Sequence, residues 1–212
     1  MSNRNARILA AGGAAVLVAA LGSPAALAAP TATTWTVQPG GAITATSGSL
    51  TLTNPPGGSL SDTCTSSTMS GTLKAGSGLP GPGIGSISMA AFRGCGHIAS
   101  QDLKARGLPW HLNAASYNPG SGTTHGTITG LHADLEGPSC SLIIDGTGAS
   151  KDNGIVSVTY SNAKHALTWL KGGSGNLHFY KVVGCAGFFG SGDPANLAGT
   201  FGVSPQQTIT SP

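Results

Sequence analysis

The chain is poor in charged residues, which make up 8% of its 212 positions. Ten Lys and Arg stand against seven Asp and Glu, and two of the ten, Arg4 and Arg7, lie in an N-terminal segment that we expect to be removed. The rest of the chain is almost neutral, so it lacks the basic patch with which nucleic-acid binders contact phosphates. We therefore predict no nucleic-acid partner and a polar surface built from Thr, Ser, Asn and Gly.

Aromatic residues are also scarce, at 5%, and motifs for catalysis or cofactor binding are missing. The sequence has no Cys-x-x-Cys and no cysteine–histidine spacing of the zinc type. Gly190-Ser191-Gly192 is not a G-x-S-x-G nucleophile elbow, and Gly81-Pro82-Gly83-Ile84-Gly85 lacks the Lys-Ser/Thr of a phosphate loop. The sequence thus predicts no cofactor and no metal ion, and it assigns no catalytic residue.

A long apolar run occurs only near the start, from Ile8 to Leu21. It follows two arginines and precedes Ala26-Leu27-Ala28, which is the pattern of a secretory signal peptide over residues 1–28. An uncleaved membrane anchor is the alternative, but the run is short and rich in Ala and Gly. No later stretch has the roughly 18 apolar residues that a membrane-spanning helix needs. We expect residues 29–212 to form a secreted β-rich domain, extracellular or associated with the cell wall.

Cysteines are few but even in number, and all four lie in the exported part: Cys64, Cys95, Cys140 and Cys185. An even count in an exported protein predicts disulfide bonds. The simplest of the three connectivities joins Cys64 to Cys95 and Cys140 to Cys185, because each bond then closes one half of the chain. Each bond would contribute about 2–4 kcal/mol to stability.

The chain contains 34 glycines and 13 prolines, which do not recur with a fixed period, and short runs of alternating residues lie between them. Many short strands at near-regular spacing predict an all-β fold, either a β-sandwich or a barrel. Only Ala99–Arg106 is predicted as a short helix, which Gly107 would end. Asn153-Gly154, just before a valine-rich run, is the strongest hairpin turn in the sequence.

The stretch from Leu108 to Cys140 carries most of the candidate residues. In its first half the side chains alternate between two faces with the period of a strand. Asn118–Gly122 then interrupts this alternation with Pro and Gly. A second run continues to Leu135, and the two together predict a β-hairpin. If the second strand is regular, the side chains from Thr127 to Leu135 alternate between its two faces without a break. His125 and His132 then face opposite sides.

The two halves of the chain are similar to each other. Arg93-Gly94-Cys95 and Val183-Gly184-Cys185 each end an apolar run, and Gly-Thr follows both Cys64 and Cys140. These matches predict two pseudo-repeated halves, 29–107 and 108–212, in one domain or in two small ones. Chance similarity among Gly- and Thr-rich strands is the alternative.

Several motifs give the chain a family likeness: Leu108-Pro109-Trp110-His111-Leu112-Asn113, Gly126-Thr127-Ile128-Thr129-Gly130, Gly175-Asn176-Leu177-His178, Gly190-Ser191-Gly192-Asp193-Pro194 and Gln207-Thr208-Ile209-Thr210-Ser211-Pro212. With the signal peptide, they resemble a group of uncharacterised secreted proteins from Streptomyces and related actinobacteria. The likeness spans essentially the whole exported chain. It implies export and a β-rich fold, and it supplies no activity and no catalytic residue.

A candidate binding surface consists of Trp110, His111, His132 and Asp134. His132 shares a strand face with Asp134, and His111 belongs to the neighbouring strand, so the three could form a metal or acid–base cluster. Trp110, like the other tryptophans, could stack on a sugar ring. The alternatives are a core anchor for the tryptophan and half-exposed strand positions for the histidines.

Asp134 and Glu136 form the one pair of neighbouring carboxylates on a predicted strand. Glycoside hydrolysis uses two carboxylates about 5–9.5 Å apart. Catalytic pairs usually come from different strands, however, and Gly137-Pro138 ends this one. We therefore favour solvated charges at a strand end.

Three function classes follow from the sequence. The first is a non-enzymatic extracellular β-module with a binding or structural role, whose partner is a cell-wall glycan or another envelope protein. The second is a secreted glycan or ester hydrolase that uses Asp134, Glu136 or His132. The third is an oligomeric β-barrel of the cell envelope, which many alternating strands and few charges suggest.

Overall fold

The computed structural model describes residues 33–54, 61–96, 101–171 and 175–212, so the predicted signal peptide lies outside the described residues. Within them lie fifteen strands and a short 3-10 helix, Cys185–Gly187. The strands are β1 Thr34–Gln38, β2 Gly41–Ser47, β3 Leu50–Thr53, β4 Ser61–Leu73, β5 Gly76–Pro80, β6 Gly85–Cys95, β7 Gln101–Arg106, β8 Trp110–Asn118, β9 Thr123–Glu136, β10 Cys140–Asp145, β11 Gly154–Ser161, β12 Ala166–Trp169, β13 His178–Gly184, β14 Asn196–Ser204 and β15 Thr208–Thr210. The predicted all-β fold is confirmed.

Eight of the strands close into a barrel. β9 pairs with β8 on one side and with β11 on the other, and the ring continues through β12, β14, β2, β4 and β6 back to β8. Every pairing in the ring is antiparallel. The sheet extends beyond the ring at the start of β4 and at the end of β9, through β3, β7, β10 and β13. A separate sheet contains β15, β1 and β5. Both predicted halves thus contribute strands to one ring.

Four aromatic side chains occupy the inside of the ring. Phe92 stacks on Trp110 with ring centres 6.4 Å apart, and Trp110 lies 6.4 Å from Trp169, which contacts Phe201 at 5.5 Å. The Trp110–Trp169 contact crosses the barrel, because β8 and β12 are not neighbouring strands. Trp110 is fully buried, so its place in the candidate binding surface is wrong and the core-anchor alternative is right.

The two disulfides have the predicted connectivity, Cys64–Cys95 and Cys140–Cys185. Each joins neighbouring antiparallel segments: Cys64 lies opposite Cys95 in the β4–β6 pair, and Cys140 lies opposite Gly184 at the end of β13. In both halves the glycine before the second cysteine has a positive φ, 59° at Gly94 and 73° at Gly184. The similar Gly-Cys motifs therefore share a positive φ at the glycine, while the duplication itself stays a prediction.

The hairpin β8–β9 forms as predicted, but β9 is not regular. The register against β11 shifts between Leu131 and Thr129, so Gly130, with φ of 83°, is an extra residue in the strand. Ile128 and Leu131 are consequently both fully buried. This bulge reverses the expected alternation, and it puts His125 and His132 on the same outer face of the barrel.

Replacing Gly130 by Ala tests the bulge. We expect the free energy of unfolding to fall by about 1–2 kcal/mol, because a side chain disfavours the positive φ. Crowding contributes little, since an added Cβ meets no atom closer than 3.8 Å. The matched control is Gly202→Ala in β14, where an added Cβ meets nothing within 4 Å and φ lies outside the left-handed region. Equal urea midpoints for the two variants would contradict the bulge.

Two local predictions fail. The residues of the predicted helix that the structure describes, 101–106, form strand β7, which pairs with β6 and β9. Asn153-Gly154 does not turn a hairpin, because β11 pairs with β9 and β12 while β10 pairs with β9 and β13. Throughout the described ranges, no helix has the length and apolarity to cross a membrane.

Candidate functional site

The predicted site residues fall on two different parts of the barrel. His111 lies exposed on the outer face of β8, opposite Ser86 of β6 and Thr129 of β9. His132, Asp134 and Glu136 follow the bulge on the outer face of β9, where β7 is the neighbouring strand. His132 and Asp134 come together as predicted, whereas His111 faces Ser86 and Thr129 rather than these two residues.

Ion pairs connect the outer faces of β7 and β9. Arg106 Nε lies 2.8 Å from Asp134 Oδ2, and Arg106 Nη2 lies 3.8 Å from Glu136 Oε1. Lys104 Nζ binds Glu136 Oε2 at 2.5 Å. Most of these side chains are about half exposed, so each pair contributes at most about 1 kcal/mol.

This geometry disfavours the hydrolase hypothesis. A glycosidase needs one carboxyl group that donates a proton and a second that attacks the sugar or activates water. Here Asp134 and Glu136 both bind the guanidinium of Arg106, and Glu136 also binds Lys104. The two carboxylates act as ion-pair partners, which agrees with strand-end charges.

A cluster of carboxylates surrounds His132, whose side chain is only 11% exposed. Its Nε2 lies 3.2 Å from Asp134 Oδ1. On the other side of the ring, Nδ1 contacts Asp152 Oδ1 and lies 3.6 Å from Asp145 Oδ2. We call His132, Asp134, Asp145 and Asp152 the histidine–carboxylate cluster.

Asp145 ends β10 and is fully buried. Its Oδ1 accepts hydrogen bonds from the backbone N–H groups of Gly146 at 2.6 Å and Asn153 at 3.1 Å. Its Oδ2 accepts from Lys151 at 2.9 Å and Asp152 at 3.0 Å. Burial acts to raise the pKa of Asp145, but these four bonds together outweigh it and hold the pKa below its ordinary value. Asp145 is therefore a buried carboxylate that closes the loop 146–153.

Asn153 closes the same loop from its other end. Its side-chain Oδ1 accepts a hydrogen bond from the Thr147 backbone at 2.9 Å, and its Nδ2 donates to Thr147 Oγ1 at 2.8 Å. Gly146 must be glycine here, because a Cβ would lie 2.4 Å from Asn153 Oδ1. The sequence analysis missed Asp145 and Asp152. The signal was present as two Asp residues and an Asn around a Gly- and Ser-rich segment, since Asx side chains often bind the backbone of the loop they flank.

Hydroxyl groups cover another part of the outer face. Thr46 of β2 pairs with Thr68 of β4, and Thr72 of β4 pairs with Ser86 of β6, with 3.3 Å between the two hydroxyl oxygens. No charged residue occurs from 63 to 73 or from 85 to 92. We call this surface the hydroxyl wall, formed by Thr44, Thr46, Thr68, Ser70, Thr72, Ser86 and Ser88. His111 extends it onto β8, and Met89, 50% exposed, adds an apolar group beside Ser70.

The comparisons with known proteins do not add a family. No protein-family model, curated protein or solved structure matches the chain. The functional argument therefore depends on the barrel, the histidine–carboxylate cluster and the hydroxyl wall.

Proposed function

We propose that the chain is an exported β-barrel module that acts outside the cell as a non-enzymatic binding component of the cell envelope, and that its hydroxyl wall binds a cell-wall glycan. The hydroxyl wall is the observation that carries the proposal. Ser and Thr hydroxyls both donate and accept hydrogen bonds, as sugar hydroxyls do. A surface without charge can also approach neutral and charged glycans without repulsion.

The filled interior supports an outer-face binder. Beside Leu73, Leu112 and Val158, where none of the four aromatic side chains reaches, the cavity measures about 60 Å³. Ligand pockets for small molecules usually measure about 300–1,000 Å³. A ring filled in this way also favours the module over the oligomeric envelope barrel, the third function class of the sequence analysis.

The disulfides support the proposed location. Both bonds are formed and no free cysteine lies in the described residues, which is compatible with an extracellular environment. The resemblance to secreted actinobacterial proteins points in the same direction, and the predicted signal peptide supplies the route of export.

Binding to isolated actinobacterial cell wall tests the proposal. We expect the purified, disulfide-bonded chain to sediment with the cell wall, and the triple variant Thr46→Glu, Ser70→Glu, Thr72→Glu to lose at least about tenfold in retention. The loss of about 1.4 kcal/mol that this represents is modest for three hydrogen-bonding groups. Trp110→Ala is not a useful variant here, because this buried side chain would report on folding.

The control adds the same three charges elsewhere, at the exposed residues Ser61, Ser121 and Ser150. We expect this Ser61→Glu, Ser121→Glu, Ser150→Glu variant to be retained like the wild type. Equal retention of the two triple variants, or no retention of the wild type, would contradict glycan binding by the hydroxyl wall.

A further inference from the structure

We propose that the histidine–carboxylate cluster is a binding site for a divalent transition-metal cation of the Zn²⁺ type, with His132 Nδ1 and Asp152 Oδ1 as its main ligands and Asp145 Oδ2 as the third. These three atoms lie within 4.8 Å of one another. They come from the middle of β9, the end of β10 and the loop 146–153. A bound cation would thus join the loop to the barrel wall. The site is separate from the hydroxyl wall and does not depend on the proposed glycan binding.

The orientation of the His132 ring supports a metal ligand. Asp134 Oδ1 lies 3.2 Å from Nε2, and Arg106 holds the same carboxylate through a 2.8 Å contact to Oδ2. Without a metal, Nδ1 is close enough to Asp152 Oδ1 to share a proton with it. A cation would displace that proton while Nε2–H donates to Asp134, and the lone pair of Nδ1 would then bind the cation. Metal-binding histidines usually have this arrangement, in which a carboxylate accepts the proton of the other ring nitrogen. Asp134 is therefore a positioning residue for the site.

The charges around Nδ1 support a cation. Asp134 has Arg106 as a partner, but within the described ranges the ion pairs of Asp145 and Asp152 involve only His132. A cation that takes the place of the proton on Nδ1 would face the ring nitrogen and two carboxylate oxygens. One divalent cation between them would bind all three atoms and offset the charge of the buried Asp145.

The ligand atoms indicate which cation. One imidazole nitrogen with carboxylate oxygens suits Zn²⁺ and related first-row ions, whereas Mg²⁺ and Ca²⁺ prefer oxygen alone. Asp145 Oδ2 already accepts two backbone hydrogen bonds, so its contribution is mainly charge. Asp152 is about half exposed, which gives the cation a route from solvent. We expect reversible binding with one cation per chain.

The test is a titration of the purified, disulfide-bonded chain with ZnCl2. Calorimetry measures the heat of binding, and NMR records the ¹⁵N resonances of the histidine rings. We expect one Zn²⁺ per chain and a shift of the His132 Nδ1 resonance. Asp152→Asn should weaken binding at least tenfold, and Asp134→Asn should weaken it about 10- to 100-fold by releasing the ring. His132→Gln should abolish it.

The matched control is Asp102→Asn, which removes a carboxylate from the β7 face that pairs with Arg93 rather than with the cluster. It should bind Zn²⁺ like the wild type. Asp152 is exposed, and the near-ultraviolet circular dichroism of Asp152→Asn should match that of the wild type, so a change in its affinity reports on the site. The proposal is overturned if the wild type binds no better than Asp152→Asn, if Asp102→Asn weakens binding equally, or if Zn²⁺ shifts another histidine instead of His132.

Discussion

Asp145→Asn should lower the free energy of unfolding by about 3–5 kcal/mol, more than any other single polar substitution that we consider. The variant keeps the shape of the side chain but replaces one oxygen by an NH2 group, which then faces two backbone N–H donors instead of accepting from them. Each hydrogen bond to a charged group contributes about 1.5–3 kcal/mol, and the donors lie in a partly buried loop. Urea unfolding with both disulfides intact measures the effect.

Asp102→Asn is the control for this prediction as well. Its carboxylate is about half exposed and lies 3.5 Å from Arg93, so we expect a loss within about 1 kcal/mol. A loss below 1 kcal/mol for Asp145→Asn would mean that the four backbone bonds do not hold the loop 146–153.

Trp110→Ala should lower the free energy of unfolding by about 3–5 kcal/mol, the usual range for removing a large buried aromatic side chain. Trp110 is fully buried, contacts Phe92 and Trp169, and donates a 2.9 Å hydrogen bond from Nε1 to the Arg106 carbonyl. The next residue gives the control. His111→Ala changes an exposed side chain and should cost within about 0.5 kcal/mol.

Thermal and urea unfolding of the two variants side by side measure this difference. Similar stabilities for Trp110→Ala and His111→Ala would contradict the placement of the Trp110 side chain inside the ring, in contact with Trp169.

Much of the fold could be predicted from local features of the sequence. An even cysteine count in a chain that is predicted to be exported indicates the disulfides, and period-two alternation predicts the β8–β9 hairpin. The prediction of a short helix over Ala99–Arg106 is wrong for residues 101–106, which form β7. Their pairing with β6 and β9 decides their conformation, and such tertiary contacts override weak local preference.

The histidine–carboxylate cluster was harder to predict, because it depends on contacts that no local pattern records. A single extra residue, Gly130, changes which side chains of β9 face outward. His132 and Asp134 keep their shared face beyond the bulge, so that part of the prediction survives. Asp145 lies beside His132 because β10 pairs with β9, with Ile144 opposite Ala133, whereas Asp152 reaches His132 from the loop 146–153.

The closure of the barrel could not be predicted from the sequence either. β9 closes the ring by pairing with β11, which follows only after β10 and the loop 146–153. Alternation predicts strands and their buried faces, but it does not say which strands pair. For that reason the sequence predicts either a sandwich or a barrel.

Chemical-shift mapping with soluble cell-wall glycan fragments tests the functional account most directly. The account predicts that the fragments shift the backbone amide resonances of the hydroxyl wall, at Thr44, Thr68, Ser70 and Ser86, and leave those of His132 and Asp152 unchanged. Shifts centred on His132 and Asp152, or no shifts at saturating glycan, would contradict the hydroxyl wall as the binding surface.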